Sequence, residues 1–234
     1  MTGAVILIVV VVVILVIVGL YFLYRNMSNR TSGPKTIEFI KYIHDAKDYK
    51  KISSGNIPAS AQGNEYNLNF WMYINDYTYR IGEMKNVMNK GEMEQEDLSN
   101  PGIYLMPNTN TLRVQVGLKT LAANYCADAS NTPEDLNQSD MIDYCDIENI
   151  PLQRWLCINV SLTNNIVEIF INGELHKSCT LKGFPRENRG HLHVCNDGGF
   201  NGFISNLKYS NRALGVAKIR AIYHSGPLLK KGFF

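Results

Sequence analysis

Residues 155–181 read WLCINVSLTNNIVEIFINGELHKSCTL, and the fold turns on how that stretch is read. Ile158, Val160 and Leu162 fall on alternate positions, as do Val167, Ile169 and Ile171. A period of two puts each set on one face of a strand. Thr163-Asn164-Asn165 interrupts the first run and Asn172-Gly173 the second. Asn-Gly supplies the two positive φ angles of a type I′ hairpin turn, whose twist suits antiparallel neighbours. Leu175 to Leu181 then returns as a third strand.

The same pattern extends in both directions. Upstream, Tyr66 to Ile74 carries Leu68, Phe70, Met72 and Ile74 on one face. Ile103 to Met106 is followed by a turn at residues 107–110, and Leu112, Val114 and Val116 then alternate with Arg113 and Gln115. Residues 36–52 mix apolar and charged positions; Ile37, Phe39, Ile43 and Ile52 could belong to a first strand plus a turn, which periodicity does not decide. Residues 124–149 are polar, mainly acidic and without an apolar period, so they read as a surface loop. Downstream, His191 to Cys195 and Gly202 to Tyr209 complete the strands. Phe200 precedes Gly202, where a glycine marks a bulge or a close backbone approach. Only Val216 to His224 reads as a helix. Many short strands with frequent turns predict an all-β, two-sheet antiparallel jelly-roll sandwich.

A different kind of segment precedes this domain. Residues 4–24, AVILIVVVVVILVIVGLYFLY, hold no charge, Asn, Gln or Pro. As a helix the run is about 31 Å long, the thickness of a bilayer's hydrocarbon core. It lacks the basic leader and small-residue cleavage site of a signal peptide, so it is expected to be an uncleaved transmembrane helix in contact with the lipid bilayer. The expected organisation is a short tail at 1–3, the transmembrane helix at 4–24, a polar stalk at 25–36, the jelly roll at 37–228 and a tail at 229–234. Arg25, Arg30 and Lys35 follow the apolar run and no basic residue precedes it. That asymmetry predicts a single-pass protein with its domain on the cytosolic side.

Charge and cysteine content narrow the functional classes. Twenty-three basic and 21 acidic residues leave a net charge of +2. That balance offers no basic face for nucleic acid. The five cysteines (Cys126, Cys145, Cys157, Cys179 and Cys195) form no C-x-x-C pair. A cytosolic domain would keep them as free thiols, whereas a luminal one could join Cys126 to Cys145. Asn-x-Ser/Thr triplets occur at Asn26, Asn29, Asn137 and Asn159. Asn159 falls inside a predicted strand, and chance in an Asn-rich chain accounts for the set.

Candidate chemistry is sparse. His191, His193 and Cys195 would share one face of a strand and could hold zinc, but no fourth ligand is evident. Glu92, Glu94, Glu96 and Asp97 cluster without strand context, a poor match for the paired carboxylates of a glycosidase. Asp128, Glu134, Asp135, Asp140, Asp143, Asp146 and Glu148 read as a solvated insertion, with a docking surface for a basic partner or a calcium site as the sharper alternative. No catalytic residue, cofactor or metal site is assigned, and the chain is expected not to be an enzyme.

Three segments together resemble the laminin-G-like branch of the concanavalin-A-like lectin/glucanase superfamily. They are residues 69–74, NFWMYI; residues 150–175, from Ile150-Pro151-Leu152 and Trp155 through Asn172-Gly173-Glu174-Leu175; and residues 199–227, from Gly199-Phe200 and Gly202 through Asn211-Arg212-Ala213-Leu214 to Gly226-Pro227. The resemblance makes Trp71, Trp155, Asn172, Gly173, Phe200 and Gly202 fold markers, with both tryptophans expected in core or sheet-face packing. Many relatives carry Asp-Asp where this chain has Ser205-Asn206. Loss of both carboxylates weakens the case for calcium, which needs several hard oxygen ligands. The domain behind a bare anchor is also similar to virion proteins of large DNA viruses of algae and protists. That likeness implies a minor capsid protein tying an internal viral membrane to capsid components. The alternative is a membrane-anchored carbohydrate-binding module, and a glycoside hydrolase ranks last.

Overall fold

A computed structural model describes residues 3, 11–22, 35–61, 63–91, 99–121 and 141–229. The chain divides into two compact units, Met1–Gly33 and Pro34–Phe234. In the first, residues 11–22 form helix α1, whose large apolar side chains are exposed. No helix among the described residues is long and apolar enough to cross a membrane. The remainder of the predicted span, 4–10 and 23–24, lies outside the described residues, as do most of the stalk, the final tail and the triplets at Asn26, Asn29 and Asn137.

The second unit is a sandwich of two seven-stranded antiparallel sheets, as the alternation predicts. The front sheet runs β1 (Thr36–Ile40), β14 (Gly202–Ser210), β4 (Tyr66–Ile74), β9 (Trp155–Thr163), β10 (Ile166–Ile171) and β11 (Glu174–Thr180), with β2 (His44–Asp45) also on β14. The back sheet runs β12 (Gly183–Pro185), β7 (Leu112–Leu121), β6 (Gly102–Leu105), β5 (Lys85–Gly91), β13 (His191–Val194) and β3 (Lys50–Ile52), with β8 (Ile142–Ile147) on β7. Leu68, Phe70, Met72, Ile158, Val160, Leu162, Val167 and Ile169 face Met88, Ile103, Val114, Val116 and Leu192 in one buried core. Helix α2 (Val216–His224) buries Ile219.

The Asn172-Gly173 turn has φ of 52° and 84°, the left-handed pair a type I′ hairpin requires. A Cβ on Gly202 would stand 2.0 Å from the Tyr73 carbonyl oxygen, so only glycine lets β14 lie this close to β4.

Two expectations need correction. The stretch 124–149 is not a loop throughout, because its end forms β8, where Cys145 and Ile147 point inward and Tyr144 and Asp146 outward. Nor are all the cysteines free. Cys145 on β8 and Cys179 on β11 form a disulfide with Cα atoms 5.9 Å apart, inside the normal bridging range. The partner of Cys145 is therefore Cys179 and not Cys126, which lies outside the described residues. The bridge joins the edges of the two sheets. Cys157 and Cys195 are free and buried.

Candidate functional site: an aromatic row on the front sheet

Because Leu68, Phe70, Met72 and Ile74 face the core, Asn67, Asn69, Trp71 and Tyr73 face outward on β4. Strand register then sets their neighbours. Tyr73 lies opposite Phe203 on β14 and Trp155 on β9, and Phe203 lies opposite Asp45 on β2. The ring centroids are 6.3 Å apart for Phe203–Tyr73 and 5.5 Å for Tyr73–Trp155, tilted by 46° and 56°. All three rings are partly exposed, and Asp45 is exposed.

The next row along the same face is closed. There Ser205, Trp71 and Cys157 are in register and buried. Tyr223 of α2 stacks on Trp71 at 5.8 Å and 19°. Gly173 permits this approach, since a Cβ there would meet the Tyr223 Cβ at 3.2 Å. Burial pushes the Cys157 thiol up to about 11, although the Asn69 amide donates to its Sγ at 3.4 Å. Such a thiol is not an ionised nucleophile at neutral pH.

On the other side of the aromatic row the strands end in amides. Asn201 stands two residues before Phe203, Asn75 two after Tyr73, and Gln153 two before Trp155. The Asn75 side chain donates to Asn201 Oδ1 at 3.2 Å, and Asn201 in turn donates to the Asp76 carboxylate. Asp76 Oδ1 accepts the Thr78 hydroxyl at 2.7 Å, the Thr78 N–H at 2.9 Å and the Tyr79 N–H at 3.2 Å. These bonds, the Thr78 hydroxyl first, hold the Asp76 carboxyl below its ordinary range. The backbone N–H of Gln153 donates to the Ile74 carbonyl at 2.8 Å, which pins the start of β9 beside the end of β4.

An aromatic face carries a negative quadrupole and attracts the weakly positive C–H groups of a pyranose, while amides and carboxylates pair with hydroxyls. The row and its flanking amides provide both kinds of contact. A few placed polar groups beside aromatic surface are the usual makings of a small-molecule site.

The residues singled out from sequence fall in several places. Trp71 is packed, as expected. Trp155 lies on the sheet face, partly exposed, and belongs to the row. Phe200 is in the core at 1% exposure. His191 and His193 share a face of β13, their rings 6.1 Å apart, but Cys195 does not join them. The strand ends at Val194, and Cys195 takes φ of 56° and enters the core. His191 Nδ1 accepts the Ser54 N–H, and His193 Nδ1 is bonded to the Tyr49 hydroxyl at 2.7 Å. Among the described residues no group of three or more His, Cys, Asp or Glu could hold a metal ion.

Ser205 and Asn206 both tie β14 to the segment after α2. The Ser205 hydroxyl donates to the Leu228 carbonyl at 2.9 Å and the Asn206 amide to Gly226 O at 3.5 Å. Asp146 is paired with Arg113 at 2.7 Å, and Asp143 accepts the Lys182 N–H at 2.7 Å. Glu92 to Asp97 and Asp128 to Asp140 lie outside the described residues. Sequence reading missed Tyr73 and Phe203. Alternation marks Tyr73 as outward-facing, but nothing local marks its neighbours.

Comparison with solved structures bears on the fold. The fold is similar to part of the botulinum neurotoxin receptor-binding domains. The receptor-binding domain of the C/D mosaic serotype aligns with a TM-score of 0.55 at 11% identity, over 83% of this chain and 47% of that one. The binding domain of neurotoxin DC in complex with rat synaptotagmin II gives 0.52 at 11%, over 82% and 46%. The same domain in complex with SialylT gives 0.51 at 11%, over 82% and 46%. The chain thus spans less than half the length of each of these structures. No protein-family model matches, and no curated protein sequence matches. Likeness at this identity concerns architecture alone.

Proposed function

We propose that this protein is a non-enzymatic, membrane-anchored, lectin-like module that binds carbohydrate through the Phe203–Tyr73–Trp155 row. The observation that carries the reading is three partly exposed rings in register on adjacent strands, bordered by amides. Aromatic side chains left open on a sheet whose next row is sealed by a helix are not needed for the core. The uncharged run at 4–24 supplies the single-pass anchor. The Cys145–Cys179 disulfide favours an oxidising compartment for the domain. It outweighs the three-charge asymmetry that favours the cytosol. The link between a viral membrane and its capsid draws on the sequence resemblance alone, and no residue of the row speaks for it.

The test is a glycan array probed with the full-length protein in detergent micelles, beside Trp155→Ala and Tyr73→Ala. Binding that either variant weakens at least about tenfold, with melting temperature little changed, supports the reading. A blank array, or binding indifferent to both substitutions, overturns it.

A further inference from the structure

Resting on that carbohydrate-binding reading, we infer that the site is a trough for a linear oligosaccharide lying across the strands, engaging two or three consecutive rings, and not a pocket for one terminal sugar. The row supplies the first reason. Its rings stand on three neighbouring strands, so they extend over two strand spacings, about 10 Å. One sugar ring cannot cover that length.

The second reason is repetition. Beside each ring, just beyond the strand end and on the same side of the row, stands an amide residue two positions away: Phe203 with Asn201, Tyr73 with Asn75, Trp155 with Gln153, the last at a left-handed φ of 55°. A repeated pair of apolar face and hydrogen-bonding group is the complement of a polymer in which every unit presents a C–H face and hydroxyls. The 46° and 56° tilts between successive rings suit units that turn relative to one another along a chain.

The third reason is the boundary. One long side is closed by the Trp71–Tyr223 stack and the other by the Asn75–Asn201–Asp76 network. The ends are open. Asp45 is exposed at one, and β2 is only two residues long. At the other, the β9–β10 ladder ends at Ile171 opposite Ile158, followed only by the bonds between Asn172 and Cys157, so no strand lies beside Trp155 on that side, and Arg154 is exposed. A site walled along its length and open at both ends admits an internal segment of a chain.

The full-length protein is titrated with glucose, mannose, galactose and N-acetylglucosamine and with their linear homo-oligomers of two to six rings. For at least one series, affinity should rise about tenfold or more from one ring to three and level off beyond about four. Phe203→Ala and Trp155→Ala, which remove opposite ends of the row, should each lower trisaccharide affinity at least about tenfold, and the loss should grow with chain length from one ring to three. A purely structural role would lower every length equally. Monosaccharides bound as tightly as trisaccharides overturn the trough and leave the carbohydrate reading standing. No binding at any length overturns both.

Discussion

Trp71 and Trp155 point the same way from adjacent strands, one row apart, yet they lead different lives. Trp71 lies beneath Tyr223 and is 5% exposed, while Trp155 has a ring beside it and no helix above it. The residue type is the same and the sheet face is the same. The difference comes from α2, which covers one row and stops short of the other. The role of an outward aromatic on a sheet is therefore set by what the chain lays over it, here from a segment some 150 positions further along in the case of Trp71.

The contrast can be broken by mutation. Trp71→Ala should cost about 3–5 kcal/mol, since it empties a packed site and undocks Tyr223. Denaturant unfolding measures this, and a loss below about 1 kcal/mol would mean that α2 does not seal the row. Trp71→Phe should cost far less, because the buried indole N–H has no hydrogen-bond partner to lose. Next in size is the bridge between sheet edges. Cys179→Ser opens a link between residues 34 apart in sequence and should cost about 2–4 kcal/mol with no change in sugar affinity. A parallel loss of affinity would tie the bridge to the row. Trp155→Ala reverses the pattern of Trp71→Ala, with stability lowered by less than about 1 kcal/mol and trisaccharide affinity lowered at least about tenfold.

The smallest effect concerns pH. Hydrogen bonds, chiefly from the Thr78 hydroxyl, depress the Asp76 carboxyl, so its folded value lies below its unfolded one. The stabilisation this gives the turn is present above about pH 4 and is lost as pH falls through the depressed value. The Thr78 and Tyr79 amide resonances should move only in that acid range. A transition near neutral pH would show that another group governs the turn.

Much of the fold could be read locally. The β9–β10–β11 meander, the Asn172-Gly173 turn and the close approach at Gly202 each depend on residues adjacent in sequence. Strand β5 could not, because Lys85, Asn86, Asn89 and Lys90 hide its period, and it is held by β6 and β13 on either side. Strand β8 was concealed by its acids, whose charges are neutralised by Arg113 or capped by the Lys182 backbone. The candidate site was the least legible part. Phe203, Tyr73 and Trp155 meet only through the register of three strands, and register is a property of pairing that no single segment encodes.

Asn159 carries a further consequence. It begins an Asn-Val-Ser acceptor triplet, yet in the fold it is 1% exposed, and its amide is bonded to Asn67 in both directions at 2.7 and 2.9 Å. An attached sugar tree has no room there once β9 has paired with β4. In a secretory compartment this side chain is therefore a clock, open to the glycosylating machinery only until the strand closes. The fraction of chains carrying a glycan at Asn159 would count the molecules that folded too late.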